Sequence, residues 1–162
     1  IKEMEILAKE FPTALALSLH APTDEIRREL IPIAKKYSLK ELILACKKFP
    51  RIKNSRTTIE YILIKNINDS LECAEKLAEL LKDYPFKVNL IPFNPHPELP
   101  FERPSQEDLE RFQKHLLSKG ILTTVRKSKG LGIEAACGQL GAKFLKISTP
   151  DPVYKETTLR AG

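Results

Sequence analysis

The chain has 162 residues, 42% of them hydrophobic and 30% charged, with 12 Pro and only 6 Gly. That balance excludes a disordered tail, a collagen-like repeat and a disulfide mini-protein, and no apolar run approaches the ~18–20 residues of a bilayer span. Lys and Arg number 27 against 21 Asp and Glu, and the resulting +6 favours an anionic partner without naming one.

Ile1–Glu10 reads as helix, with Met4, Ile6 and Leu7 on a polar background, and a chain that opens inside an element is expected to be a piece of a longer protein. Thr13–Leu19, Thr57–Ile64 and Phe86–Phe93 are short, largely apolar runs, which suit strands of a buried parallel sheet. Ser38-Leu39-Lys40-Glu41 has the S-x-x-E pattern of a capping box, and Leu39, Leu42, Ile43, Cys46 and Phe49 then share one helical face before Pro50. Asp69-Ser70-Leu71-Glu72 opens a second helix, with Leu71, Ala74, Leu77, Ala78 and Leu81 as its stripe. Pro104-Ser105-Gln106-Glu107-Asp108 opens a third, with Leu109, Phe112, Leu116 and Leu117 as its stripe and Gly120 placed to close it. Ile121–Val125 returns to strand. The order β-α-β-α-β-α-β predicts a parallel α/β arrangement, and the chain holds about half of the ~250 residues a closed eightfold barrel requires. It is either a small open sheet or the second half of a larger, incomplete barrel.

Ligands of parallel α/β folds gather beyond the carboxyl ends of the strands. Ser18 and His20 follow the first strand and Asn94 follows the third, so a hydroxyl, an imidazole and a carboxamide share one predicted rim. The same residues also suit a plainer role, satisfying turn backbone ahead of a proline. Glu60, an unpaired carboxylate inside the second strand, reads as a polar group of a barrel interior, with structural and functional roles both open.

The three cysteines, at 46, 73 and 137, have neither C-x-x-C nor metal-finger spacing, and their odd number argues against a disulfide framework. A reducing, cytoplasmic compartment is the expectation. Cys46 and Cys73 sit in helices and read as packing. Cys137, in Ala135-Ala136-Cys137-Gly138, is flanked by small residues and follows Arg126, Lys127 and Lys129, which would favour its thiolate; a buried structural role is the alternative. Lys35, Lys36, Lys47, Lys48, Arg51, Lys53 and Arg56 form a second basic cluster, either a solvated helix face or a phosphate-contacting one.

Four motifs occur in order: Ala16-Leu17-Ser18-Leu19-His20-Ala21, Asn68-Asp69, Val88-Asn89-Leu90-Ile91-Pro92-Phe93-Asn94-Pro95 and Ala135-Ala136-Cys137-Gly138-Gln139-Leu140. Together they closely resemble the radical S-adenosylmethionine (SAM) methyltransferases of the RlmN/Cfr type, which methylate adenosine in large-subunit ribosomal RNA. The resemblance runs from about Ala14 to Gly141. It implies an incomplete (β/α)6 barrel. Residues 1–120 would be the carboxyl-terminal half of that barrel. Residues 121–162 would be a further strand and a methyl-carrier segment of the same domain.

The resemblance also implies two SAM molecules and a [4Fe–4S] cluster on a C-x3-C-x2-C loop that this chain lacks and that is expected upstream. Ser18, Leu19 and His20 would line the SAM site, and the Asn94 carboxamide would contact SAM. Cys137 would accept a methyl group from one SAM and carry it to the RNA base. The second SAM would give the radical that activates that methyl group, and another cysteine, also upstream, would resolve the crosslink through a disulfide. The implied substrate is 23S rRNA, with tRNA as a further one, and the implied protein is a monomer with no membrane contact. C2 and C8 of adenine are not distinguished by these motifs; C2 is the expectation, as the commoner kind. Gly130-Leu131-Gly132-Ile133 departs from the family's acidic pair before the carrier cysteine, and His96 stands where an aromatic residue is usual. The fragment alone is expected to bind no cluster and to be inactive. Two other readings compete with the resemblance. One is half of an aldolase-like small-molecule enzyme, and the other is a non-catalytic RNA-binding piece that rests on charge.

Overall fold

The computed structural model describes residues 13–50, 55–97 and 99–126; the expected helix at 1–10, the residues beyond Arg126 and with them Cys137 lie outside that set. Four strands form one parallel sheet in the order β1-β2-β3-β4: β1 (Ala16–Ser18), β2 (Thr57–Leu63), β3 (Phe86–Pro92) and β4 (Leu122–Val125). Between β1 and β2 lie α1 (Asp24–Leu30), a 3-10 turn (Pro32–Lys35) and α2 (Leu39–Lys48). α3 (Leu71–Leu81) joins β2 to β3, and α4 (Gln106–Ser118) joins β3 to β4.

The strand order never reverses. Successive crossovers of one hand therefore lay the helices on one face of the sheet, the winding of a barrel segment rather than of a doubly wound sheet. The covered face carries the core. Ile59, Tyr61 and Leu63 of β2 and Phe86, Val88 and Leu90 of β3 are buried against Leu39, Ile43 and Cys46 of α2, Ala74, Leu77 and Leu81 of α3, and Leu109, Phe112 and Leu116 of α4. Tyr61 and Phe112 meet with ring centroids 5.5 Å apart. No described element covers the opposite face, where alternate strand positions are half-buried or exposed. The runs that look apolar on both faces in the sequence therefore alternate in the fold, because the described helices lie against one side of this sheet.

Local chemistry explains the helix ends. Ser38 and Glu41 form the expected capping box, with the Ser38 amide 2.8 Å from Glu41 Oε2 and the Glu41 amide 3.3 Å from Ser38 Oγ. Asp24 Oδ1 accepts the next free amide, that of Leu39, at 2.8 Å, so the start of α1 helps to cap α2. Ser70 and Ser105, not the residues before them, cap α3 and α4. Gly120 closes α4 at φ +78°, a left-handed turn in which its amide donates to Leu117 O at 2.9 Å.

Three expectations differ from the structure. β1 pairs over only three residues, because β2 is its one described neighbour. α1 is absent from the sequence reading: its seven residues offer no apolar stripe, though Thr23 with Asp24 and Glu25 supplies an N-terminal signal. Leu71 and Leu117 are not core residues, being 47% and 45% exposed, since each sits at the margin of its helix's buried arc.

Candidate functional site

Strand register assembles a polar row that no single segment shows. Ser18 pairs with Glu60, Glu60 with Asn89 and Asn89 with Thr124, one residue from each strand, all on the uncovered face. Asn89 Nδ2 donates to Glu60 Oε2 at 3.0 Å, and Thr124 Oγ1 donates to Asn89 Oδ1 at 3.4 Å. Glu60, unpaired as read from the sequence, is thus hydrogen-bonded, and only cross-strand register reveals its partner. Ser18 ends this row at the carboxyl edge of β1 and is exposed.

The turn after Ser18 is built tightly. Leu19 turns its side chain into the core, fully buried, so its main chain is all it can offer a ligand. His20 adopts φ +60°, a left-handed conformation uncommon for a residue with a side chain. Its Nδ1 accepts the Ile62 amide of β2 at 3.1 Å. A ring that accepts at Nδ1 is neutral and carries its proton on Nε2. Burial, and then the nearby Arg27 charge, hold its pKa down from 6.5 to about 4. The plain and the functional readings of His20 are therefore compatible: Nδ1 satisfies backbone, while Nε2–H has no hydrogen-bond partner among the described residues.

Asn94 lies beyond the end of β3. Phe93, just before it, is buried, donates its amide to Leu63 O at 2.9 Å and packs edge-on against Phe101 at 5.8 Å. These contacts fix where the half-buried Asn94 begins its loop. Ser18, His20 and Asn94 share the carboxyl rim as expected, but on β1 and β3, which β2 separates. Two inter-strand spacings put about 10 Å between them, a gap for a ligand of nucleoside size rather than for direct contact.

The second motif, Asn68-Asp69, also acquires a structural reason. Asp69 Oδ1 accepts the Asn66 amide at 2.9 Å and holds the turn after β2. Asn68 is fully buried, and its carboxamide ties that turn to His20. Cys46 and Cys73 are buried free thiols, and burial pushes the Cys46 pKa up to about 11. Among the described residues no group of three or more His, Cys, Asp and Glu could hold a metal, and no helix is long and apolar enough to cross a membrane. Lys35, Lys36, Lys47, Lys48 and Arg56 of the basic cluster are all exposed; Arg51 and Lys53 lie outside the described residues.

No family model matches the chain. A protein of Nitratiruptor sp. named dual-specificity RNA methyltransferase RlmN is 54% identical over 129 residues, covering 80% of this chain and 36% of that protein. Another of the same name, from Alcanivorax borkumensis, is 44% identical over 160 residues, 97% of this chain and 42% of that one. The crystal structure of a radical SAM methyltransferase from Sphaerobacter thermophilus superposes with a TM-score of 0.80 at 47% identity, over 85% of this chain and 41% of that one. This chain belongs to the RlmN-like radical SAM methyltransferases, as a partial chain. It spans well under half the length of these relatives. The parallel sheet with its helices is the family's α/β fold, and four strands wound one way are consistent with part of its barrel. A domain of a pyruvate-formate lyase-activating enzyme from Bacteroides vulgatus shares the fold alone, at 17% identity and a TM-score of 0.61. At 97% coverage the Alcanivorax match takes in position 137, so family membership extends across the candidate carrier cysteine.

Proposed function

We propose that the full-length protein is a cytoplasmic RNA methyltransferase that uses two SAM molecules to methylate C2 of an adenosine in 23S rRNA, with tRNA as a second substrate. The observation that carries this reading is the identity of 44% to an RlmN along nearly the whole chain. Free, buried Cys46 and Cys73 fit the reducing compartment.

The donor set on the rim suits SAM. Ser18 Oγ both donates and accepts, Asn94 offers a carboxamide, and His20 offers Nε2–H, which matches the carboxylate, ribose hydroxyls and ring nitrogens of such a molecule. Because His20 is neutral, it adds no positive charge beside a sulfonium. Leu19 takes part by anchoring the turn between Ser18 and His20, its side chain in the core and its amide donated to Glu60 O. SAM, once bound, supplies the methyl group.

Cys137 is assigned as the methyl carrier. Its thiolate, having lost its proton, would accept the methyl group that SAM supplies: a C–S bond would form at Cys137 as the sulfonium C–S bond breaks, with S-adenosylhomocysteine as the leaving group and S-methylcysteine left on the chain. Arg126, Lys127 and Lys129, a few residues upstream in the sequence, would favour that thiolate by charge. The described residues do not fit an iron–sulfur cluster: Cys46 and Cys73 are buried in separate helices, far from C-x3-C-x2-C spacing. The cluster is assigned to the part of the protein outside this chain, and this chain without it is expected to be inactive.

The test is methylation of 23S rRNA by the purified full-length holoenzyme, followed by digestion and mass spectrometry of the nucleosides. Methylation at C2 of adenosine is expected. Methylation at C8 would replace the site assignment, and no methylated adenosine would overturn the reading.

A further inference from the structure

The hydrogen bonds around Ser18–His20 account for nearly every main-chain polar group in the turn. The amides of Leu19 and His20 both donate to Glu60 O, at 3.0 and 3.4 Å. The carbonyls of Leu19 and Ser18 accept from Arg27 Nε and a terminal guanidinium nitrogen, at 3.2 and 3.5 Å. The His20 carbonyl accepts from Asn68 Nδ2 at 2.8 Å. The two side chains that make these contacts come from different elements, α1 and the loop after β2, and both are buried, Asn68 at 0% and Arg27 at 6% exposure.

Asn68 uses its whole carboxamide. Nδ2 donates to His20 O and to Ile62 O, both at 2.8 Å, and Oδ1 accepts the Ile64 amide at 2.7 Å. Its own carbonyl accepts from Tyr61 Oη at 3.0 Å. Only a side chain with two donors and an acceptor on one short planar group meets these demands. Asp lacks the donors and Gln is a methylene too long. Asn68 thus bonds to both residues of the pair in which His20 Nδ1 accepts the Ile62 amide, so one residue holds both the left-handed turn and the partner of its ring. Arg27 is equally specific: a buried cation that the structure sets against two carbonyls of the turn.

We propose that Asn68 and Arg27 are positioning residues that lock the Ser18–His20 turn so that its ligand contacts are Ser18 Oγ and the Nε2–H donor of His20. The proposal rests on the reading of this rim as a SAM site and goes beyond it by fixing which tautomer of His20 meets the ligand and what enforces it. The ligand group facing His20 is then a hydrogen-bond acceptor: a carboxylate, a ribose hydroxyl oxygen or a ring nitrogen.

The experiment uses the full-length protein with 15N-labelled histidine, the His20 ring assigned by its loss in His20→Asn, and is run with and without SAM. The expected wild-type ring, without SAM at neutral pH, is neutral with the proton on Nε2. A ring protonated on Nδ1, or charged, overturns the proposal whether or not any variant folds. Asn68→Ala and Asn68→Asp are expected to lose the single tautomer. They are also expected to weaken SAM binding about tenfold, the scale of one buried hydrogen bond, while 23S rRNA binding stays unchanged. Arg27→Met is expected to do the same. Unchanged ring signals and SAM affinity in Asn68→Asp overturn the role of Asn68; equal losses of SAM and RNA binding overturn it too, as the mark of general destabilisation. Wild-type SAM affinity in His20→Asn overturns the site reading instead, and the ring signal without SAM then still decides what Asn68 does.

Discussion

Acid strips this fold of one specific source of stability, and His20 sets its size. In the unfolded chain the imidazole takes up a proton near 6.5; in the native state burial and Arg27 delay this to about 4. Between those values the unfolded state binds more protons, so the contribution is complete above pH 6.5 and is lost as the pH falls towards 4. At 1.36 kcal/mol per pH unit the displacement corresponds to as much as about 3 kcal/mol. The structural event is loss of the acceptor at Nδ1: a protonated ring cannot receive the Ile62 amide, now 3.1 Å away. Urea unfolding from pH 7 to pH 4 should be compared for the wild type and His20→Asn, since Asn tolerates φ +60°. Carboxylates with lowered pKa, such as Glu41 and Asp108, destabilise in the same direction on acidification but are common to both proteins and cancel. The wild type should lose up to about 3 kcal/mol more than the variant across that range. Parallel curves, or a His20 ring that titrates near 6.5, would refute the reasoning.

Packing and capping give further expectations. Phe112→Ala removes a fully buried ring that packs on Tyr61 and should cost about 3–5 kcal/mol in urea unfolding. Tyr61→Phe deletes the hydroxyl that donates to Asn68 O at 3.0 Å and should cost about 1–2 kcal/mol by the same measure, with little change in the far-ultraviolet circular dichroism spectrum. Ser38→Ala opens the capping box of α2 and should lower stability by about 1 kcal/mol, with faster amide exchange confined to the first turn of that helix.

Much of the architecture was legible because it is local. Ser38 and Glu41 stand three residues apart and satisfy each other's amides wherever the chain goes. Gly120 closes α4 because a left-handed residue belongs there, whatever follows. The rim, with Ser18, His20 and Asn94, followed from the rule that loops at the carboxyl ends of parallel strands carry the chemistry. What stayed hidden is what depends on register. Glu60 and Asn89 lie 29 residues apart, and nothing in either strand announces that the two are opposite each other. Asn68 reads as a loop residue, and its hold on His20 spans 48 residues. Leu71 and Leu117 show the converse failure: the helical period assigned them to an apolar stripe, but burial ends where neighbouring elements end. The plain reading of His20 and the functional one were posed as alternatives because the sequence cannot separate the two ring nitrogens. In the fold Nδ1 takes the backbone role, which leaves Nε2–H for the proposed ligand role.

The central claim is that this chain carries the methyl-accepting cysteine of an RNA methyltransferase. It is tested most directly by the mass of the Cys137 peptide from the full-length holoenzyme, purified with its cluster and incubated with SAM. One added methyl group on Cys137 is predicted, together with loss of methyl transfer to RNA in Cys137→Ala. An unmodified Cys137 in active enzyme, with wild-type transfer by Cys137→Ala, would contradict the account.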